Sequence, residues 1–227
     1  MRRGFAGRLI ELEQRVIGEL ETAVLWLVEI GDAVALPTTQ KSDAISLAGR
    51  RLRSAGRNID ADLVCVTARH APVASDLRLV LALVQVAHTE GLIGNQFELI
   101  SHQLAAIKAT VPDRHGTGTK VSSMATGGGA LLKRSATAFA SRDLVLARRL
   151  DREDDALDQL NREVFETTLE LEGAAEIREL GLRHVLIARS LERIGDNAVD
   201  IAEQTEFLVT AELREFTDAS HPKPKGA

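Results

Sequence analysis

The chain has 227 residues, 44% of them hydrophobic, which is material for one sizeable domain or two small ones. With no tyrosine and only 3% aromatic residues, the composition favours a helical core of Leu, Val, Ile and Ala over a β-sandwich. A formal net charge of -5, with no dense Lys/Arg patch interleaved with aromatics, excludes a general nucleic-acid binder.

Six helices are predicted. The first runs from about Phe5 to Ala35 and stops before Pro37. Arg2 and Arg3 could open a signal peptide, but Arg8, Glu11 and Glu13 interrupt any apolar run behind them, so no targeting segment is expected. The second helix is expected to start at a Ser42-Asp43 cap and to bury Ile45, Ala48, Leu52, Ala55, Ile59, Leu63 and Val66, with Pro72 marking the turn after it. Cys65, the single cysteine, lies between Val64 and Val66 and is expected to be a buried, unreactive thiol, in keeping with a reducing cytoplasm. Ser75 is the expected cap of the third helix, from Asp76 to about Thr110. Its most apolar run, Leu79 to Ala87, is far shorter than the ~20 residues of a membrane span, so a soluble, cytoplasmic protein without membrane insertion is expected.

Residues 112–120 read as a polar, breaker-rich linker. The fourth helix is predicted from near Val121, its early part weakened by Gly127-Gly128-Gly129. The fifth starts at Ser141 or Asp143, turns Leu150, Leu157, Leu160, Val164 and Leu171 inward, and ends at Gly173. The sixth spans about Ala175 to Leu213, and residues 214–227 are expected to be a disordered tail. Three long helices, a linker and three more predict an all-α fold of two tandem antiparallel three-helix bundles, residues 1–111 and 121–213.

The last helix carries the most informative pattern. Beside its apolar stripe of Ile187, Leu191, Ile194, Ala198 and Ile201 run Glu192, Asp196, Asp200 and Glu203. Like charges four residues apart each cost ~0.2–0.5 kcal/mol, and no helix start is near enough to compensate them. The stripe therefore calls for arginines or a bound cation. Arg189, Arg193 and, for Asp158, Arg162 stand at ion-pairing distance along the sequence, so a solvated salt-bridged face is the alternative reading.

Ala188-Arg189-Ser190-Leu191-Glu192-Arg193-Ile194-Gly195-Asp196 closely resembles a signature of the PhoU family, and Pro72-Val73-Ala74-Ser75-Asp76-Leu77-Arg78-Leu79-Val80 resembles that family's lead into its third helix. The resemblance covers roughly residues 43–208. It implies two repeated three-helix bundles and a non-catalytic cytoplasmic regulator of phosphate uptake. The expected partners are the ATPase subunit of a phosphate ABC transporter and the associated sensor histidine kinase, with a homodimer as a further assembly. It also implies metal-binding carboxylates on two helices of each half. In the second half these are Asp154 and Asp158 with Glu192 and Asp196, and Asp200 as a further ligand. Each pair lies ~6 Å apart along its helix. Oxygen donors without Cys or His select a hard or borderline divalent ion such as Mg, Ca, Mn or Fe.

In the first half the corresponding positions are Gly49, Arg53, Gly91 and Asn95, with no carboxylate among them. No metal is expected there; Arg53 is expected to pair with Glu90 or Glu98, and Gly49 and Gly91 to mark close helix–helix approach. A di-iron enzyme is disfavoured because no Glu-x-x-His pair occurs on the predicted helices. The glycine runs lack a phosphate-loop ending. His70, His88, His102 and His184 share no ligand spacing, and Trp26 reads as a packing residue.

Overall fold

The structure, a computed structural model, describes residues 2–107, 111–213 and 216. These form helices α1 (Arg2–Ala35), α2 (Thr39–His70), α3 (Ser75–Ala106), α4 (Thr117–Ser141), α5 (Leu144–Ala147), α6 (Leu150–Leu169) and α7 (Ala175–Thr210), with no strand among the described residues. The tail expected to be disordered lies outside the described residues except for Phe216, whose amide donates to the Glu203 carboxylate of α7 at 2.6 Å.

Several boundaries differ from the sequence expectation, each for a local reason. α2 starts at Thr39 because Thr38, in extended backbone, accepts the Lys41 amide on its hydroxyl at 3.2 Å. Ser42 is instead buried inside the first turn, donating to the Thr38 carbonyl. α3 does not use Ser75 as a cap: the cap position is Ala74, at φ 52°, with no side-chain hydrogen bond. Together with Ala71 at φ 45°, two non-glycine residues hold positive-φ backbone on either side of Pro72. Such residues cost roughly 1–2 kcal/mol each, which the packed helices on both sides must offset. The expected fifth helix is broken in two. Asp143 caps only the single turn α5, accepting the Leu146 amide at 2.9 Å, and α6 restarts at Leu150.

α4 begins four residues earlier than expected and runs unbroken through the glycine triplet. Asp113 in the linker satisfies its first amides, accepting from Thr117 N at 3.2 Å and Gly118 N at 2.8 Å. The glycines make room for neighbours. A Cβ on Gly127 would lie 3.1 Å from Leu157 of α6, and one on Gly129 would lie 3.4 Å from Leu27 of α1. Cys65 is exposed, contrary to expectation, because it falls on the outer face of α2 between the buried positions Leu63 and Val66.

α1, α3, α4 and α7 form the middle of the molecule: α1 lies along α4, and α3 lies along α7. α2 packs on α3 and α1, and α6 on α7 and α4, so each half contributes one flanking helix. The buried apolar residues make one continuous core across both halves, from Leu12, Leu20 and Leu27 to Phe139, Ile187 and Ile201. α3 is long and apolar enough by length and composition to cross a bilayer, but half of its most apolar stretch is buried within the protein. Trp26 is half-buried and packs against the core.

Candidate metal centre

α6 and α7 lie side by side, and their facing surfaces bring Asp154 and Asp158 together with Glu192 and Asp196. Asp158 and Glu192 are buried, at 7% and 4% exposure, whereas Asp154 is half-buried and Asp196 exposed. The four carboxyls thus form a seam that opens to solvent on one side. Burial, followed by the charges of Asp196, Asp158 and Glu192, pushes the Asp154 carboxyl up to about 8. Burial and Asp196 raise Glu192 to about 7, against the opposing pull of Arg189. Glu192 accepts a short hydrogen bond from Arg189, one turn earlier, and Arg193 also favours its charge. Arg162 donates to Gln159 at 3.3 Å. The arginines beside the stripe therefore do not neutralise Asp154, which no cation among the described residues opposes.

The buried Asp154 Oδ1 and Glu192 Oε2 have no hydrogen-bond partner. Unsatisfied buried carboxylate oxygens are costly, and so are like charges at close range. A divalent cation would relieve both, and the all-oxygen donor set suits a hard ion. The fit is electrostatic rather than geometric. Among the described residues no group of three His, Cys, Asp or Glu side chains is arranged as a ready-made coordination site. Asp200 is more peripheral: it sits on the exposed side of α7, and its carboxyl rises through partial burial alone.

Gly195, one residue before Asp196, makes the seam close. A Cβ there would collide with Asp154 Oδ1 and stand 3.1 Å from Leu157. This role is not among those read from the sequence, although a glycine inside a long helix is itself a signal, costing ~1 kcal/mol relative to alanine. His184 is buried at 2% exposure, with Nδ1 2.7 Å from Thr117 Oγ1, whose hydroxyl is also 3.2 Å from Asp113. Burial lowers its pKa, which suits a neutral core imidazole tying α7 to the start of α4.

The first-half positions look different. Arg53 of α2 reaches Asn95 Oδ1 at 3.0 Å and grips Glu98 of α3 through two guanidinium nitrogens, at 3.1 and 2.8 Å. Of the two expected acids it takes Glu98. Glu90 is instead fully buried in the bundle, where Glu19, Asp60 and Arg15 are the charges that act on it. Gly49 does mark a close approach, since a Cβ there would lie 2.5 Å from the Gly94 carbonyl oxygen. Gly91 does not: nothing lies within 4 Å of a Cβ built on it, and Gly94 and Gly56 provide the other contacts.

Known proteins share this fold and the sequence pattern of its second half. Residues 121–205 match the family model described as PhoU domain, a span that contains all five candidate ligands. The phosphate-specific transport system accessory protein PhoU homolog 1 of Methanothermobacter thermautotrophicus is 28% identical over 209 residues, 89% of each chain. A phosphate-specific transport system accessory protein PhoU homolog from a Burkholderia species is 25% identical over 230 residues, 94% of each chain. The crystal structure of the phosphate transport system regulatory protein PhoU from Streptococcus pneumoniae superposes with a TM-score of 0.81 at 20% identity, covering 93% of this chain and 100% of that one. The second half of the chain thus matches the PhoU domain, most of its length is similar to proteins named PhoU homologs, and its helical fold is that of a PhoU crystal structure.

Proposed function

We propose that this protein is a non-catalytic, cytoplasmic regulator of phosphate uptake and phosphate-responsive signalling, acting by contact with a phosphate ABC transporter, its sensor kinase, or both, and binding a divalent cation in its second half. The observation that carries this reading is the position of Asp154, Asp158, Glu192 and Asp196, all within the matched domain and all facing one seam. Two relatives of nearly full-length coverage are named as accessory proteins of phosphate-specific transport.

The four seam carboxyls would hold the ion, with Asp200 on the outer rim. A bound cation supplies counter-charge, so that Asp154 and Glu192 can ionise together at neutral pH. The protein's own residues set the site: Gly195 lets Asp154 seat against α7, and Arg189 steadies one side of Glu192. The ion would join α6 to α7 and fix the surface they present to a partner.

Calorimetric titration with Mn, Fe and Mg salts tests the metal. Binding is expected in the native chain and should vanish in an Asp154→Ala, Asp196→Ala double variant; unchanged stoichiometry in that variant rejects the assignment. Phosphate uptake in a host strain lacking the protein tests the pathway. Uptake that responds to external phosphate as it does in the parent strain rejects the regulatory role.

A further inference from the structure

The two halves bring equivalent helix pairs together in opposite ways. Gapless correspondence places Gly49 and Arg53 opposite the positions of Asp154 and Asp158, and Gly91, Gly94 and Asn95 opposite those of Glu192, Gly195 and Asp196. In the second half, Gly195 accommodates a carboxylate side chain from the neighbouring helix. In the first half, glycine faces glycine. A Cβ on Gly49 would lie 2.5 Å from Gly94 O, and a Cβ on Gly94 would lie 2.6 Å from Gly49 O. The α2 and α3 backbones therefore touch where α6 and α7 leave room for an acid. Two turns along, a Cβ on Gly56 would lie 2.5 Å from Ala87 O, so the contact is repeated.

The same site then carries its own positive charge. Arg53 lies within the α2–α3 seam, its backbone amide 3.1 Å from a Cβ built on Gly94. Its guanidinium meets both oxygens of Glu98 and the side-chain oxygen of Asn95. The pair is partly shielded, with side-chain exposures of 32% and 21%. One guanidinium nitrogen donates a hydrogen bond to Glu98 Oε2, a second stands at ion-pair distance from Oε1, and arginine stays protonated throughout the physiological range. A covalently attached cation of this kind cannot be chelated or exchanged.

We infer that the Arg53 guanidinium is a built-in cation that closes the α2–α3 seam permanently, so that control by an exchangeable divalent ion is confined to the α6–α7 seam. The consequence is a protein with one fixed half and one conditional half. The cation-dependent part of this inference rests on the metal reading given above; the Arg53 clasp does not.

Hydrogen–deuterium exchange of the full chain, in EDTA and in Mn(II), separates the two. In the native chain Mn(II) should slow exchange along α6 and α7 and leave unchanged those α2 and α3 amides that exchange by local opening rather than by global unfolding. Arg53→Met should speed exchange along α2 and α3 by roughly fivefold, equally with and without Mn(II). Glu98→Gln should do the same to a smaller degree, which keeps the test available should Arg53→Met fold poorly. Slowing of locally opening α2–α3 amides by Mn(II) in the native chain overturns the inference, as does native-like α2–α3 exchange in both variants. If Mn(II) changes exchange nowhere while both variants loosen α2–α3, the metal reading and the confinement of ion control to α6–α7 fall together, and the clasp alone stands.

Discussion

Glu90 is the most costly single side chain in the first half. It is fully buried, neither carboxyl oxygen has a hydrogen-bond partner, and burial with Glu19 and Asp60 holds its pKa well above the ordinary 4.5. Its counterpart one repeat on is Leu191, a buried apolar residue, so an acid occupies a core position. The folded state favours the protonated acid more than the unfolded chain does. That preference is therefore fully present below 4.5 and lost as pH rises through the folded-state value. Glu90→Leu should stabilise the protein on the order of 1–3 kcal/mol at mildly basic pH and by much less in mild acid. Urea midpoints of both proteins across that pH range read the effect; a gap independent of pH would mean that Glu90 does not titrate in the fold. The sequence placed the residue within reach of Arg53 but not its burial, because nothing in the α3 pattern separates an acid facing α1 from one facing α2. Cys65 shows the same limit in reverse, since a valine on each side reads as core whereas the helix turns the thiol outward.

At the scale of elements, glycines decide how closely helices meet. Gly56 lies in mid-helix against a carbonyl, so Gly56→Ala should cost about 1–3 kcal/mol through overpacking, although alanine is the better helix former. Gly91→Ala meets open space and should instead stabilise by about 0.5–1 kcal/mol. Thermal melts of the two variants should therefore move in opposite directions, and equal shifts would deny that α2–α3 contact sets the difference. Long helices were legible because their apolar positions recur over many turns, and so was the acidic face of α7. Their ends were less so. The start of α2 depended on Thr38 rather than Ser42, and α4 survives three glycines because Leu27, Leu157 and the Asp113 cap hold it, contacts that lie far away in sequence. The candidate seam was legible as residue types and spacing. Its tightness was not, since Gly195 acts only through its neighbour on α6.

For the whole molecule, the sequence reads as two tandem three-helix bundles, and one buried core runs through both. Periodicity reports which face of a helix is apolar, not which partner covers it, so α1 against α4 and α3 against α7 could not be read in advance. Those contacts are close ones: Ser122 donates to the Gly31 carbonyl at 2.9 Å, and Gly31 faces Ala125 across the α1–α4 seam. Separating the halves would expose Leu27, fully buried and set against Gly129 of α4, at about 1.5–3 kcal/mol. An interface of that kind couples the unfolding of its two sides. The single tryptophan gives a local reporter, because Trp26 lies on α1 while helicity reports every helix in both halves. Tryptophan fluorescence and far-ultraviolet circular dichroism should therefore lose signal at the same denaturant concentration. With a divalent ion bound only at α6–α7, both transitions should move upward together, since stabilisation of one seam is shared through the common core. A fluorescence transition that stays in place while the dichroism shifts would show that the halves fold independently, and that the continuous core transmits nothing from the second half to the first.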